Sequence, residues 1–408
     1  MTPDTSTAGI LRRPYLLATV GTCALVFLSA FESLAVTTVM PVVSRELNGA
    51  GLYALAFAGP LATGVMGMVG AGNWSDRRGP QAPVYASVAL FVLGLLIAGT
   101  AGTMEMLVLG RLVQGLGGGA MTVALYVLVA RIYPAVLHAK IFAAFAASWV
   151  IPSLVGPFAA GVVAQLSSWH WVFLGVVGLV VPALAMVVPA MRGLASGPDA
   201  ASPKEPWAFA RMGWAALAAL TVLALNLSVE VPGFGGATFA GLTLTGSALS
   251  WAGASALQGR MGRRLADSSA VKTGAALVLA AIALAFVTAA LGLTPVVAIG
   301  GWLFAGFGMG LIYPRLSVMT LALSTPANQG FNSSALSISD SLGGALALAT
   351  TGLVFAAFTT TNPFAAVFAL TAVLAVVGVA VAPRVAPGKP ASASRTDSES
   401  HPQLTPRP

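Results

Sequence analysis

Four ionisable residues lie inside or at the ends of long apolar stretches, where a charge is costly: Glu32, Arg111, Glu230 and Asp340. A carboxylate surrounded by hydrocarbon can exchange a proton or bind a cation, and ionisable residues within membrane spans are functional by default. We therefore predict that Glu32, Asp340 and Glu230 are candidates for proton coupling. An arginine in such a place normally pairs within the helix bundle.

Two amides accompany these charges, Gln114 close to Arg111 and Asn226 close to Glu230. With Glu32 and Arg111, they are the predicted cavity residues for a substrate. Structural alternatives stay open for each charge. Glu32 could be a permanently protonated or structurally paired acid, Arg111 could extend to the outer interface, and Glu230 could be an ordinary acid of a short loop.

Two interpretations of Asp340 stay open. It lies about 12 Å into its apolar stretch, at 1.5 Å per residue. It could pair with Arg315, or it could serve as a second proton site.

The composition indicates which solvent surrounds these residues. Of 408 residues, 57% are hydrophobic and 8% are charged, with a mean hydropathy of +0.88. Soluble domains carry about 25% charged residues, so this chain cannot cover a surface that faces water. The lipid bilayer is the solvent that fits, and 46 glycines suit the close approach of helices within it.

Apolar runs of about 20 residues, enough to cross a bilayer, occur at about twelve places. The predicted spans are 15–40, 53–71, 82–101, 104–130, 141–165, 171–191, 212–231, 236–257, 272–292, 295–319, 332–358 and 363–383. The predicted fold is an all-α integral membrane protein of about twelve helices, in two halves of six around a central cavity.

The basic residues predict the orientation of these spans. With the N-terminus inside, nearly all lysines and arginines fall in inner segments, and the outer loops contain only Arg45. The positive-inside rule then gives an even number of spans with both termini cytoplasmic, in the inner (cytoplasmic) membrane of a cell. The net charge of +8 is explained by these short loops, so we expect the lipid bilayer and not nucleic acid as the partner.

The longest inner loop divides the chain. We predict a first six-helix bundle over 1–191, a cytoplasmic linker over 192–211, a second bundle over 212–385 and a disordered cytoplasmic tail over 386–408. Each half has a basic loop between its second and third spans, SDRRG in the first and GRMGRR in the second. This arrangement is typical of transporters with parallel repeats.

The segment from Gly72 to Gly79, GNWSDRRG, resembles the G-x-x-x-D-R-x-G signature loop of the major facilitator superfamily. The resemblance implies that Gly72, Asp76, Arg77 and Gly79 form a latch between the halves. Where the family usually has one or two further basic residues, this chain has Pro80 and Gln81.

Three further segments are similar to motifs of the same family. Arg111 to Gly117 follows R-x-x-Q-G-x-G, and its glycines suit helix packing. Gly156, Pro157 and Gly161 resemble the antiporter motif G-P-x-x-G-G, with Ala160 in place of one glycine. An acid nine residues before Pro41 resembles the first-span signature of drug exporters, in which the usual aspartate is replaced by Glu32.

The resemblance implies a drug/proton antiporter: export of amphipathic or cationic small molecules, driven by the proton gradient. The alternative within transporters is uptake of a small metabolite by symport. A membrane-embedded enzyme is a third hypothesis. The sequence does not favour it, because His138, His170 and His401 fall in a loop, at an interface and in the tail, and so form no catalytic or metal-binding cluster. We expect no metal or other cofactor, a monomer, and protons and a small molecule as the ligands.

Overall fold

The computed structural model describes residues 9–192, 194, 237–261, 266–358 and 362–385. The described residues form eleven long α-helices and two short 3-10 turns. In the first half the helices are α1 (Leu16–Glu46), α2 (Tyr53–Arg78), α3 (Gln81–Gly99), α4 (Met104–Ile132), α5 (Ala135–Leu166) and α6 (His170–Arg192). Further along the chain are α7 (Ala237–Met261), α8 (Asp267–Leu291), α9 (Pro295–Ala322), α10 (Gln329–Ala357) and α11 (Pro363–Val381).

These helices follow the predicted spans closely. Ten of the described helices are long and apolar enough to cross a bilayer, and α7 is a further helix of 25 residues. Several extend beyond the apolar run, such as α1, which continues from 40 to Glu46, because a helix does not end where the hydrocarbon ends. The predicted span 212–231 and most of the predicted linker lie outside the described residues.

The packing of α4 is set by glycines. A Cβ at Gly119 would run into the backbone of Gly64 on α2, and a Cβ at Gly117 would run into the backbone of Phe91 on α3. Small residues on both sides therefore let α4 lie directly against α2 and α3. Gly117 and Gly119, which follow Arg111 on α4, are therefore helix-packing residues.

The same helix contacts recur in the second half. The pairs α2–α4, α3–α4 and α3–α6 have counterparts in α7–α9, α8–α9 and α8–α11. Gly274 and Gly308 bring α8 and α9 together as Gly64 and Gly119 bring α2 and α4 together. This repetition confirms the expected fold of two related halves.

The halves meet along two lines of contact, α2 and α4 against α10, and α5 against α7 and α9. At one end of the bundle lie the C-terminal ends of α2 and α4 and the beginning of α5, with Arg77, Arg78, Arg131 and Lys140. We call this end the basic face.

Candidate functional site: a buried ion pair, a central cavity and a latch

Glu32 and Arg111 form a buried ion pair between α1 and α4. Glu32 is 1% exposed and Arg111 is 6% exposed. The Arg111 guanidinium also donates to Gln114 Oε1 at 2.6 Å and to the backbone carbonyl of Ala56 at 3.2 Å. Arg111 therefore does not extend to the bilayer surface; its charge is neutralised inside the first half.

The pair joins three helices. Glu32 comes from the middle of α1, Arg111 and Gln114 come from the N-terminal half of α4, and the Ala56 carbonyl comes from the first turn of α2. Removing two charges from water costs several kcal/mol each, and close pairing with additional hydrogen bonds offsets that cost. The cluster of Glu32, Arg111 and Gln114 therefore ties α1, α2 and α4 together.

A central cavity of about 280 Å³ lies between the two halves. Its wall contains six aromatic side chains: Tyr126, Phe142, Phe145, Trp149, Trp251 and Tyr313. From α1 it is lined by Val26 and Ser29; neither Glu32 nor Arg111 is among the described residues of the wall. The predicted cavity residues Glu32, Arg111 and Gln114 are therefore brought together, but behind the cavity wall.

Asp340 on α10 is the acidic residue of the described cavity wall. Its side chain is exposed, and its carboxylate accepts a hydrogen bond from the Tyr313 hydroxyl at 3.4 Å. Tyr313 lies edge-on to Trp251, with ring centroids 5.9 Å apart. Within the described residues Asp340 makes no ion pair with Arg315. It therefore presents a carboxyl group beside aromatic faces.

Asp76, near the end of α2, binds the beginning of α10 in the other half. Its two carboxylate oxygens accept the backbone N–H groups of Gly330 at 2.6 Å and Phe331 at 2.8 Å. The first N–H groups of a helix have no partner within the helix, and the helix dipole favours a negative charge there. Asp76 thus caps α10 across the interface between the halves.

The backbones of α2 and α10 touch beside this cap. A Cβ at Gly72 would collide with the carbonyl of Gly330, and a Cβ at Gly330 would collide with Gly72. Ser334 donates to the Met68 carbonyl at 2.8 Å, and Arg131 on α4 donates to the Pro326 carbonyl at 2.8 Å. These contacts hold the halves together at the basic face, and we call the set around Gly72, Asp76 and Gly330 the latch.

The turn after the latch is made by Gly79, whose φ of 78° lies in the region that favours glycine. Arg77 comes one residue after Asp76, in the last turn of α2. Gln81 begins α3, and its side-chain amide donates to the carbonyls of Met191 and, at 2.9 Å, Leu194. In place of a further cation, this chain thus has an amide that caps the end of α6.

The antiporter-like motif lies on α5 where it packs against α1. A Cβ at Gly156 would make ordinary contact with Phe31 at 3.6 Å, and one at Gly161 would contact Thr38 at 3.8 Å. Pro157 is one of two prolines inside α5. The motif therefore faces the same helix that carries Glu32.

Some features were not visible in the sequence, and some predictions fall outside the described residues. Trp169, just before α6, is 2% exposed, and its indole donates to the Glu46 carboxylate at 2.7 Å, which links the start of α6 to the end of α1. Glu230 and Asn226 lie outside the described residues, as does the predicted tail 386–408.

The fold and this site define a class: a multi-pass helical membrane protein whose two repeated halves enclose a cavity. The family model of the Major Facilitator Superfamily matches residues 22–314 of this chain. The chain therefore belongs to that family of transporters. The expected family and fold are thereby confirmed.

Two solved structures share the fold. A bacterial homologue of the iron transporter ferroportin, in an outward-facing state, matches with a TM-score of 0.70 at 13% identity, covering 90% of this chain and 99% of the other. The proton:xylose symporter XylE matches with a TM-score of 0.66 at 13% identity, covering 88% and 94%.

Two bacterial relatives have names that refer to drugs. A probable multidrug-efflux transporter of Mycobacterium tuberculosis is 31% identical over 203 residues, which are 48% of this chain and 43% of the relative. The putative multidrug resistance protein MdtD of Salmonella typhi is 30% identical over 158 residues, 37% of this chain and 34% of MdtD. These matches span less than half of each relative's length.

Proposed function

We propose that this protein exports amphipathic, cationic small molecules in exchange for protons. The observation that carries the proposal is the central cavity, where one exposed carboxylate, Asp340, stands among six aromatic side chains. Aromatic faces attract organic cations, and a carboxylate that has no cationic partner among the described residues supplies the opposite charge. The names of the M. tuberculosis and S. typhi relatives agree with this substrate class.

Coupling follows from competition at one carboxylate. A proton and a cationic substrate cannot both neutralise Asp340, so the arrival of a proton favours release of the substrate. Glu32 is held by Arg111 in this structure, and its role as a proton carrier stays a prediction. In our proposal Asp340 contacts the substrate, and the Glu32–Arg111 pair supports the wall of the first half.

The latch supports alternating access between two conformations. With both termini in the cytoplasm of the cell, as the positive-inside rule predicts, the basic face is cytoplasmic. The halves are joined at that face, which is the arrangement expected when the cavity opens to the outer side. Substrate loading from the cytoplasm then requires the Asp76 cap on α10 to break.

Symport of a polar metabolite is the other transporter function, and the cavity favours it less. A sugar needs several amides and charges to satisfy its hydroxyl groups, because buried polar groups must be paired. The described wall instead contains mainly aromatic and aliphatic side chains, with a few hydroxyls and Asp340.

Direct binding tests the proposal. Purified protein is titrated with tetraphenylphosphonium at several pH values, and the protons released are measured in weakly buffered solution. We expect affinity to rise with pH and up to one proton to be released per bound cation. Asp340→Asn should bind at least tenfold more weakly and with no pH dependence. Binding that is unchanged by this substitution, or by pH in the wild type, would refute the role of Asp340.

A further inference from the structure

A second cavity, of about 300 Å³, lies apart from the central one, between α2 and α3 with α4 as its floor. Its wall is formed almost entirely by apolar and small residues: Met66, Gly67, Val69, Gly70, Ala71, Trp74, Pro83, Ala86, Ser87, Leu90, Leu116 and Ala120. We call it the α2–α3 groove.

One edge of the groove is a row along α2. Met66, Gly70, Trp74 and Arg78 are spaced four residues apart, so each lies about 40° around the helix from the one before. They form a row that winds slowly around α2 and spans about 18 Å at 1.5 Å per residue. The first three line the groove, and Arg78 lies beyond its end. The row changes from apolar to aromatic to cationic as it approaches the basic face. This is the order of chemical groups that a phospholipid presents from its acyl chain to its head group.

Among the described residues, Gly70 has no neighbour that requires a glycine. A Cβ at Gly70 would meet nothing within 4 Å, whereas a Cβ at Gly67 or Gly72 on the same helix would collide with a neighbouring backbone. A glycine inside a helix has a stability cost relative to alanine. Here that cost is explained by the space it leaves in the groove and not by helix packing.

Arg78 ends the row with a free positive charge. It is exposed, and within the described parts of the chain its guanidinium has no hydrogen-bond or ion-pair partner. A guanidinium binds a phosphate oxygen pair well, and a basic residue beside a membrane helix contributes about 1 kcal/mol to the binding of an anionic lipid.

We propose that the α2–α3 groove is a binding site for an anionic phospholipid. One acyl chain lies over Gly70 between Met66 and Trp74, and the phosphate group binds Arg78. Because α2 also carries Gly72 and Asp76, the bound lipid supports the helix that forms the latch. This site does not depend on the transported substrate.

Native mass spectrometry tests the site with two defined probes, palmitoyl-oleoyl phosphatidylglycerol and the matching phosphatidylcholine. The wild type should retain one phosphatidylglycerol with about fivefold preference over phosphatidylcholine. Gly70→Leu fills the groove and should weaken the binding of both lipids about tenfold. Arg78→Gln should leave phosphatidylcholine binding unchanged and abolish the preference for phosphatidylglycerol.

Two matched variants control for non-specific effects. Gly178→Leu places the same side chain at an exposed helical glycine that, like Gly70, has nothing within 4 Å of a Cβ, and Arg192→Gln removes another exposed arginine, at the end of α6. Both should bind lipid as the wild type does. The proposal is wrong if Gly70→Leu retains wild-type lipid binding, if Arg78→Gln retains the preference, or if the control variants lose binding equally.

Discussion

At the scale of single residues, the Glu32–Arg111 pair determines how strongly the stability of the protein depends on each buried charge of the first half. Removing one partner leaves the other charge buried and unpaired, which costs about 3–5 kcal/mol, whereas removing both is nearly neutral. We expect Glu32→Gln to lower the thermal unfolding temperature in detergent strongly, and Glu32→Gln with Arg111→Gln to recover most of the loss.

Glu105→Gln is the control for this pair, because Glu105 is an exposed acid in the first turn of α4, the helix that carries Arg111. It should change the unfolding temperature little. Equal unfolding temperatures for Glu32→Gln and the double variant would show that the pair is not coupled energetically. The double variant also separates stability from coupling: if it folds and still transports, Glu32 does not carry the proton.

The sequence predicted that these charges matter, but it could not predict which of them meet. Glu32 and Arg111 are 79 residues apart, and their pairing depends on α1 and α4 being neighbours in space. Asp340 was expected beside Arg315 or as a proton site; its contact with Tyr313 depends on how α9 and α10 face each other. Intramembrane charge is visible in a sequence, whereas the choice of partner is a property of tertiary packing.

At the scale of helices, the glycines of α4 provide a matched pair of neighbours. A Cβ at Gly119 would collide with the backbone of Gly64, whereas one at Gly118 would make only ordinary contact with the Phe91 ring at 3.7 Å. Overpacking costs about 1–3 kcal/mol, so Gly119→Val should lower the unfolding temperature well below that of Gly118→Val. Similar unfolding temperatures for the two variants would contradict the packing of α2 on α4.

The latch makes a prediction about conformation. Gly72→Val forces a side chain into the contact with Gly330, so α2 and α10 must separate at the basic face. Spin labels placed by Arg78→Cys and Leu323→Cys, in a Cys23→Ala background, should report a longer and broader distance than in the protein with Gly72. Gly178→Val, at a glycine with open space, is the control and should leave the distance unchanged.

The latch also shows that a sequence motif identifies one side of a tertiary contact and not its partner. Gly72, Asp76 and Gly79 were recognisable as a loop signature, because each has a local role in a helix end or a turn. Their partners Gly330, Phe331 and Ser334 lie more than 250 residues later and carry no comparable pattern. The same is true of Gln81, whose acceptors at the end of α6 are 110 and 113 residues away.

At the scale of the whole molecule, membrane location and the two-half fold followed from composition, hydropathy and the distribution of basic residues. The cavity did not, because its wall combines side chains of α1, α4, α5, α7, α9 and α10. Hydropathy counts Phe142, Phe145 and Tyr126 as ordinary span residues; only the packing of the two halves turns them toward one space.

Gradient-driven transport tests the central claim most directly. Inverted vesicles containing the wild type, Asp340→Asn or Glu105→Gln are given an acidic interior, and the uptake of tetraphenylphosphonium is followed. We expect uptake by the wild type and by Glu105→Gln that stops when the pH gradient is dissipated, and at least a tenfold lower rate for Asp340→Asn. Gradient-driven uptake by Asp340→Asn at the wild-type rate, or none by the wild type, would contradict proton-coupled export through this cavity.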